Sequence, residues 1–194
     1  MNNLTKNLFL IIGAPGSGKT TDAEIIAKED KNIAHFSTGE LLRAEVSSKS
    51  TLGLTIEKII NAGEIVPVQI ALDTIIKAIN SSTCNTILID GYPRSFEQMI
   101  GLDNILKNEK NIILKSVIEV EVTEQTAMDR VLGRNRGIDD NIEVFKNRMN
   151  IYIKPLKEIK AYYNSKKILT TISGEEDIKN VVSKMTQLIN THSS

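Results

Sequence analysis

Apolar and polar positions follow two rhythms along this chain. Residues 8–12 are continuously apolar and run straight into glycine. That pattern predicts a strand buried on both faces, as in a parallel sheet. Residues 20–29 then take helical spacing, with Ala23, Ile26 and Ala27 on one face. A short second strand is predicted over 33–36. Helical segments follow at 38–46, 52–61 and 68–80. In the middle one, Ile56, Ile59 and Ile60 show the i, i+3, i+4 spacing of a packed face. Further strands are predicted over 86–90, 114–122 and 168–172. Helices are predicted over 96–107, 124–133 and 175–189. A longer helical region covers 141–163, where Pro155 should kink or divide it.

This alternation predicts an α/β fold with a five-stranded parallel sheet and helices on both faces. The segment 37–67 puts several helices between two strands, so it reads as a subdomain inserted in a single domain spanning 1–194. There are no internal repeats and no low-complexity linkers. With 194 residues the chain can bury a real core. Lys+Arg and Asp+Glu are equal at 24 each, which gives no global reason to expect nucleic acid or an anionic membrane as partner. The single cysteine, Cys84, excludes an internal disulfide and any zinc site built from several thiols. The apolar run at 8–12 is too short for a signal peptide's core, and no run reaches the ~18 residues needed to span a bilayer. The expectation is a cytoplasmic enzyme.

Candidate chemistry begins where the first strand ends. Gly13-Ala14-Pro15-Gly16-Ser17-Gly18-Lys19-Thr20 matches G-x-x-x-x-G-K-Ser/Thr. Small residues let the backbone wrap an anion, so that successive N–H groups point inward. The helix that follows aims its positive end at the same place. Lys19 adds a full charge for the β- and γ-phosphates, and Thr20 offers a hydroxyl to Mg²⁺. This predicts a P-loop NTPase fold that binds a nucleoside triphosphate. It does not identify the reaction.

A second segment, Asp90-Gly91-Tyr92-Pro93-Arg94-Ser95-Phe96-Glu97-Gln98, starts at the C-terminal end of the third strand. In open α/β sheets, ligands bind at such ends. A carboxylate there can orient the water around Mg²⁺, an arginine can fork onto phosphate, and an amide can read a base edge. With Ser37-Thr38-Gly39-Glu40-Leu41-Leu42-Arg43 and Gly63-Glu64-Ile65-Val66-Pro67 also in order, nearly the whole chain resembles the adenylate kinases. The resemblance extends to Arg130, Arg134, Arg136, Asp139, Asp140 and Arg148.

The resemblance implies reversible, Mg²⁺-dependent phosphoryl transfer from ATP to AMP by a monomer. It implies that residues 13–20, Thr21, Arg130 and Arg134 bind ATP, with Arg130 against its adenine. Thr38 and Gln98 would face AMP's adenine, main-chain groups of Glu64, Ile65 and Val66 would line it, and Gly39 and Gly91 would also bind AMP. Arg43 and Arg94 would hold the AMP phosphate. Arg134, Arg136 and Arg148 would converge on the transferred group, Lys19 would bridge the ATP phosphates, and Asp90 would support Mg²⁺ through water. Asp139 and Asp140 would pair with arginines on closure.

Phosphoryl transfer needs fixed cations more than covalent help, and a phosphate acceptor needs no general base. His35 and His192 therefore read as incidental, His35 as structural or solvent-exposed. Taken alone, Arg148 reads as a solvated helix face, and Asp139-Asp140 as the N-cap and first-turn acid of the next helix.

The lid is where the chain departs from the family. Only Asn135, Arg136, Gly137 and Ile138 separate Arg134 from Asp139, so 134–141 forms a short lid with no room for a structural zinc. Arg136 stands three places before the paired aspartates rather than two, which makes its role the least secure of the arginines. Within nucleotide kinases, Thr38 and Gln98 favour AMP over the alternatives, a UMP/CMP kinase or a guanylate kinase. Outside that class, the alternative is a non-catalytic P-loop regulator.

Overall fold

The structure is a computed structural model in which residues 5–62, 64–133 and 141–193 are described. Five strands, β1 (Lys6–Gly13), β2 (Ile33–Ser37), β3 (Thr86–Asp90), β4 (Ile112–Glu121) and β5 (Leu169–Ser173), form one sheet in the order β2-β3-β1-β4-β5. Every pairing is parallel. The helices are α1 (Lys19–Glu29), α2 (Thr38–Ser47), α3 (Thr51–Asn61), α4 (Val68–Ser81), α5 (Phe96–Asn108), α6 (Glu124–Gly133), α7 (Ile142–Ser165) and α8 (Ile178–Ser193).

The period of two along each strand divides the core. Leu8, Leu10, Ile12, Ile87 and Ile89 point to one face and pack under α4, α5 and α7. Phe9, Ile11, Leu88, Ile118 and Val120 point to the other and pack under α1 and α8. Both faces are buried, which is why the strands are apolar runs rather than alternating ones. β1 starts earlier than the apolar run predicts, at Lys6. That buried lysine donates to the carbonyls of Ser82 (2.5 Å) and Cys84 (3.2 Å), beyond the end of α4.

Pro155 does not divide α7. Phe145 and Met149 anchor the helix before the proline, in a cluster with Ala127 and Val131. Ile159 and Tyr163 anchor it after the proline, in the main core. A helix-interior proline costs about 3 kcal/mol, whereas each large side chain buried contributes about 1.5–3 kcal/mol, so two anchored halves hold the helix together. Asn141 caps it, accepting from the Val144 N–H at 2.9 Å. Asp139 and Asp140, read as cap and first-turn acid, lie outside the described residues. α8 starts three residues later than the apolar pattern predicts. Asp177 caps it by accepting from the Asn180 N–H at 3.0 Å, which leaves Glu175 in the preceding loop.

α2 and α3 carry a small core of their own, Leu42 and Ile56 with Val66. Their close approach depends on Gly53, where a Cβ would press into the Glu45 carbonyl. Gly53→Ala should therefore force the two helices apart and destabilise the protein by about 1–3 kcal/mol. A lowered calorimetric Tm checks this, and a Tm equal to the parent's would refute it.

Candidate active site

The loop after β1 builds an anion cradle from backbone alone. Gly16 and Gly18 have φ of 83° and 95°, the left-handed conformation that turns successive N–H groups inward. Gly13 cannot carry a side chain, because a Cβ would lie 2.6 Å from the Val120 carbonyl and 2.7 Å from Ser17 Oγ. Ser17 Oγ is buried and finds no partner among the described residues. Lys19 Nζ folds back to the Ala14 carbonyl at 3.1 Å, placing its charge over the loop. Ala14 itself packs away from the opening, against Ala127 and Val131.

Across the cradle stands Asp90, 2% exposed, with both oxygens held. Thr20 Oγ1 donates to Oδ1 at 3.2 Å, and Ser37 Oγ reaches the same oxygen at 3.4 Å. His35 Nε2 lies 2.6 Å from Oδ2, and with the carboxylate ionised the ring nitrogen is the donor. His35, read from the sequence as incidental, is thus bonded to a carboxylate of the cavity wall. Thr20 and Asp90 thus present hard oxygen donors side by side at the phosphate cradle. This donor set suits Mg²⁺, which takes one or two protein oxygens and keeps several waters.

The opposite wall carries cations. Gly91, with φ of 76°, turns the chain so that Arg94 Nε donates to its carbonyl at 2.8 Å. Arg94 meets solvent inside the concavity. Desolvation there lowers its pKa, the like charges of Arg148 and Arg43 lower it further, and Asp90 opposes them. Arg43 lies over Gly39, with Nη1 3.4 Å from where a Cβ would stand. Gln98 is buried. Its Oε1 accepts from the Arg94 N–H at 2.8 Å, and its Nε2 donates to the Val66 carbonyl at 3.3 Å. Thr38 Oγ1 is buried and lacks a partner among the described residues.

A cavity of about 720 Å³ joins the two walls, within the range of small-molecule sites. Gly13, Pro15, Gly16, Ser17, Gly18, Lys19, Thr20 and Thr21 line one side of it, with Arg130. Thr38, Gly39, Arg43, Glu64, Ile65 and Val66 line the other, with Gly91, Arg94 and Gln98; Asp90 and Arg148 lie on its wall too. Arg134 and Arg136 lie outside the described residues. No group of three or more His, Cys, Asp or Glu able to hold a metal occurs among the described residues.

The family profile described as adenylate kinase matches residues 11–168. An adenylate kinase of Wolinella succinogenes is 60% identical over 181 residues, 93% of this chain and 95% of its own. Those of Campylobacter lari and Helicobacter pylori are 57% and 58% identical over 185 residues, 95% of this chain and 97% of theirs.

The motifs did not pick out Tyr152 or Asp22, which also line the cavity. Asp22 is 3% exposed. Burial pushes its carboxyl up from 3.8 to about 6, against the pull of Arg130 and Lys19. A carboxyl with a raised folded pKa binds its proton more tightly in the folded state. Its contribution to stability is therefore lost as pH rises from about 4 to about 6. The gap from 3.8 to about 6 corresponds to about 3 kcal/mol. In urea unfolding of the nucleotide-free protein, Asp22→Asn should gain on the parent by up to that amount between pH 4 and pH 7. A difference that does not change with pH would rule this out.

Proposed function

We propose that this cavity is where the chain, which belongs to the adenylate kinase family, carries out its reaction, with ATP on the phosphate loop and AMP on the arginine wall. The chain is an ATP:AMP phosphotransferase: the terminal phosphoryl group of ATP passes to AMP, giving two ADP. The observation that carries the site reading is Arg94, whose charge stands close enough to Arg148 and Arg43 for both to act on it. Like charges gathered in a cavity are stabilised when an anion binds among them.

In this reading Arg43 and Arg94 hold the AMP phosphate. Arg148 faces the group in flight, with Arg134 and Arg136 supplied by the short lid. Thr38 Oγ1 turns to AMP's adenine, and Gln98 is held beside that base by Val66 and the Arg94 N–H. Lys19 and the loop N–H groups fix the ATP phosphates, with Arg130 against ATP's adenine. The AMP phosphate is already a nucleophile, so positioning and charge carry the chemistry. Thr20 Oγ1 would hold Mg²⁺ and Asp90 would hold its water. The ion supplies neutralisation of charge across the triphosphate. Structural zinc is not part of this reading.

Residues 37–67 act as an acceptor-binding subdomain that closes together with the lid at 134–141, excluding water from the phosphoryl group. Asn147 supports this. From α7 its Nδ2 donates to the Ala62 carbonyl, just past α3, at 3.0 Å. The protein acts as a cytoplasmic monomer on free nucleotides, without nucleic acid or membrane. No helix among the described residues is long and apolar enough to cross a membrane.

A panel of AMP, UMP, CMP and GMP with ATP, run with and without Mg²⁺, tests the acceptor assignment: AMP should be fastest, and faster UMP or CMP would overturn it. Arg94→Ala should lower kcat/KM on the order of a hundredfold or more, and a negligible loss would mean the acceptor phosphate lies elsewhere. ATP hydrolysis without AMP should be far slower than transfer, because neither closing element is then drawn in. Hydrolysis rivalling transfer would remove the closure idea.

A further inference from the structure

The loop between β5 and α8 is tied to the start of α6 by a side chain that the reaction itself does not use. Glu175 Oε1 accepts from the Thr123 N–H at 2.6 Å, and Oε2 accepts from Thr126 Oγ1 at 2.9 Å. Thr123 already caps α6 locally, since its Oγ1 accepts from the Thr126 N–H at 3.2 Å. The helix start therefore does not need Glu175 for its own N–H groups beyond that of Thr123. What Glu175 adds is a link between distant pieces of chain.

That link borders the donor side of the cavity. Thr126 and Arg130 are one helical turn apart and share a face of α6. Arg130 Nη2 donates to the Gly174 carbonyl at 3.0 Å, and Nη1 donates to the Ser17 carbonyl at 3.3 Å. Gly174 N–H in turn donates to the Glu121 carbonyl at 2.8 Å. No side chain fits at Gly174, where a Cβ would lie 2.8 Å from Val120 Cγ1 and 2.9 Å from Val122 Cγ1. Arg130 thus bridges the phosphate loop and the β5–α8 loop, and Glu175, next to Gly174, fixes that second loop to the helix that carries Arg130. Glu175 stands between Gly174 and Glu176 in the chain, and both of these line the cavity with Arg130.

We propose that Glu175 is a positioning residue for the base of ATP, setting the spacing between α6 and the β5–α8 loop and so the place of Arg130. This rests on the reading that Arg130 lies against the donor adenine. Glu175 is exposed, where such contacts add little to overall stability. Its role is therefore geometric, and its effect falls on ATP and not on AMP.

The test measures kcat and KM for each substrate, with Tm, in the full-length protein and in Glu175→Ala, Glu175→Gln and Arg130→Ala. Glu175→Ala should raise KM for ATP about five- to tenfold, leave KM for AMP within about twofold and move Tm by about 2 °C or less. Glu175→Gln keeps an acceptor for the Thr123 N–H and should recover most of the loss. An unchanged KM for ATP in Glu175→Ala, beside a raised one in Arg130→Ala, would overturn the proposal alone. An unchanged KM for ATP in Arg130→Ala would overturn the donor-base reading and the proposal with it. A Glu175→Ala variant in which both KM values rise as Tm falls would make Glu175 a structural tie only. A Glu175→Gln variant as impaired as Glu175→Ala would assign the effect to charge and likewise overturn the proposal.

Discussion

Ile11 of β1 stands opposite Asp90 of β3, and Gly13 stands opposite Val120 of β4. Parallel pairing makes these central strands end at one edge, so the turns that leave them emerge together. The phosphate loop follows β1, the Gly91–Arg94 turn follows β3, and α6 follows β4. A shift of one residue in β1 would turn Leu8, Leu10 and Ile12 to the face of α1 and α8, so burial on both faces fixes the register. The same register brings Thr20 within 3.2 Å of Asp90. The site's geometry is thus a consequence of core packing several residues back along the strands.

That edge then has to hold charge of one sign. Arg94 feels Arg148 and Arg43 as like charges, and Asp90 opposes them. Asp90 is itself fixed on both oxygens, by Thr20 and Ser37 on one and His35 on the other. A carboxylate held this way cannot swing over to neutralise an arginine. On the proposed site reading, Asp90 then does not compete with an incoming phosphate for Arg94, and little reorganisation is left for the moment of transfer.

Local patterns were legible in the sequence because they are set by neighbours along the chain. Gly16 and Gly18 sit where backbone geometry demands them, and β1 is buried on both faces as its apolar run predicts. Features set by neighbours in space were not legible. His35 meets Asp90 because β2 and β3 are adjacent: Ser37 is in register with Asp90, and His35 lies two residues before it on the same face. Nothing near His35 in sequence signals that. Pro155 is locally a breaker, yet burial on both sides of it keeps α7 whole. Asp22 looks like an ordinary first-turn acid on α1. Its raised pKa comes from burial in the folded cavity.

The fold also gives the segment proposed to close on the acceptor a core apart from the main ones. The main clusters pack the sheet between its helices, while Leu42, Ile56 and Val66 form a core apart from them. A unit with its own core can reorient as a body without opening the rest. Its ties to the surrounding structure include single hydrogen bonds, such as Gln98 to the Val66 carbonyl and Asn147 to the Ala62 carbonyl. Bonds of that kind contribute about 1 kcal/mol each, comparable to what a bound nucleotide can add or remove. Gln98 thus joins Val66 to the Arg94 backbone through one amide, which on the proposed reading places it between the acceptor base and its phosphate. On that reading, a base that displaces or reinforces either contact acts on the other, so recognition of the acceptor base and placement of its phosphate would be coupled through one amide.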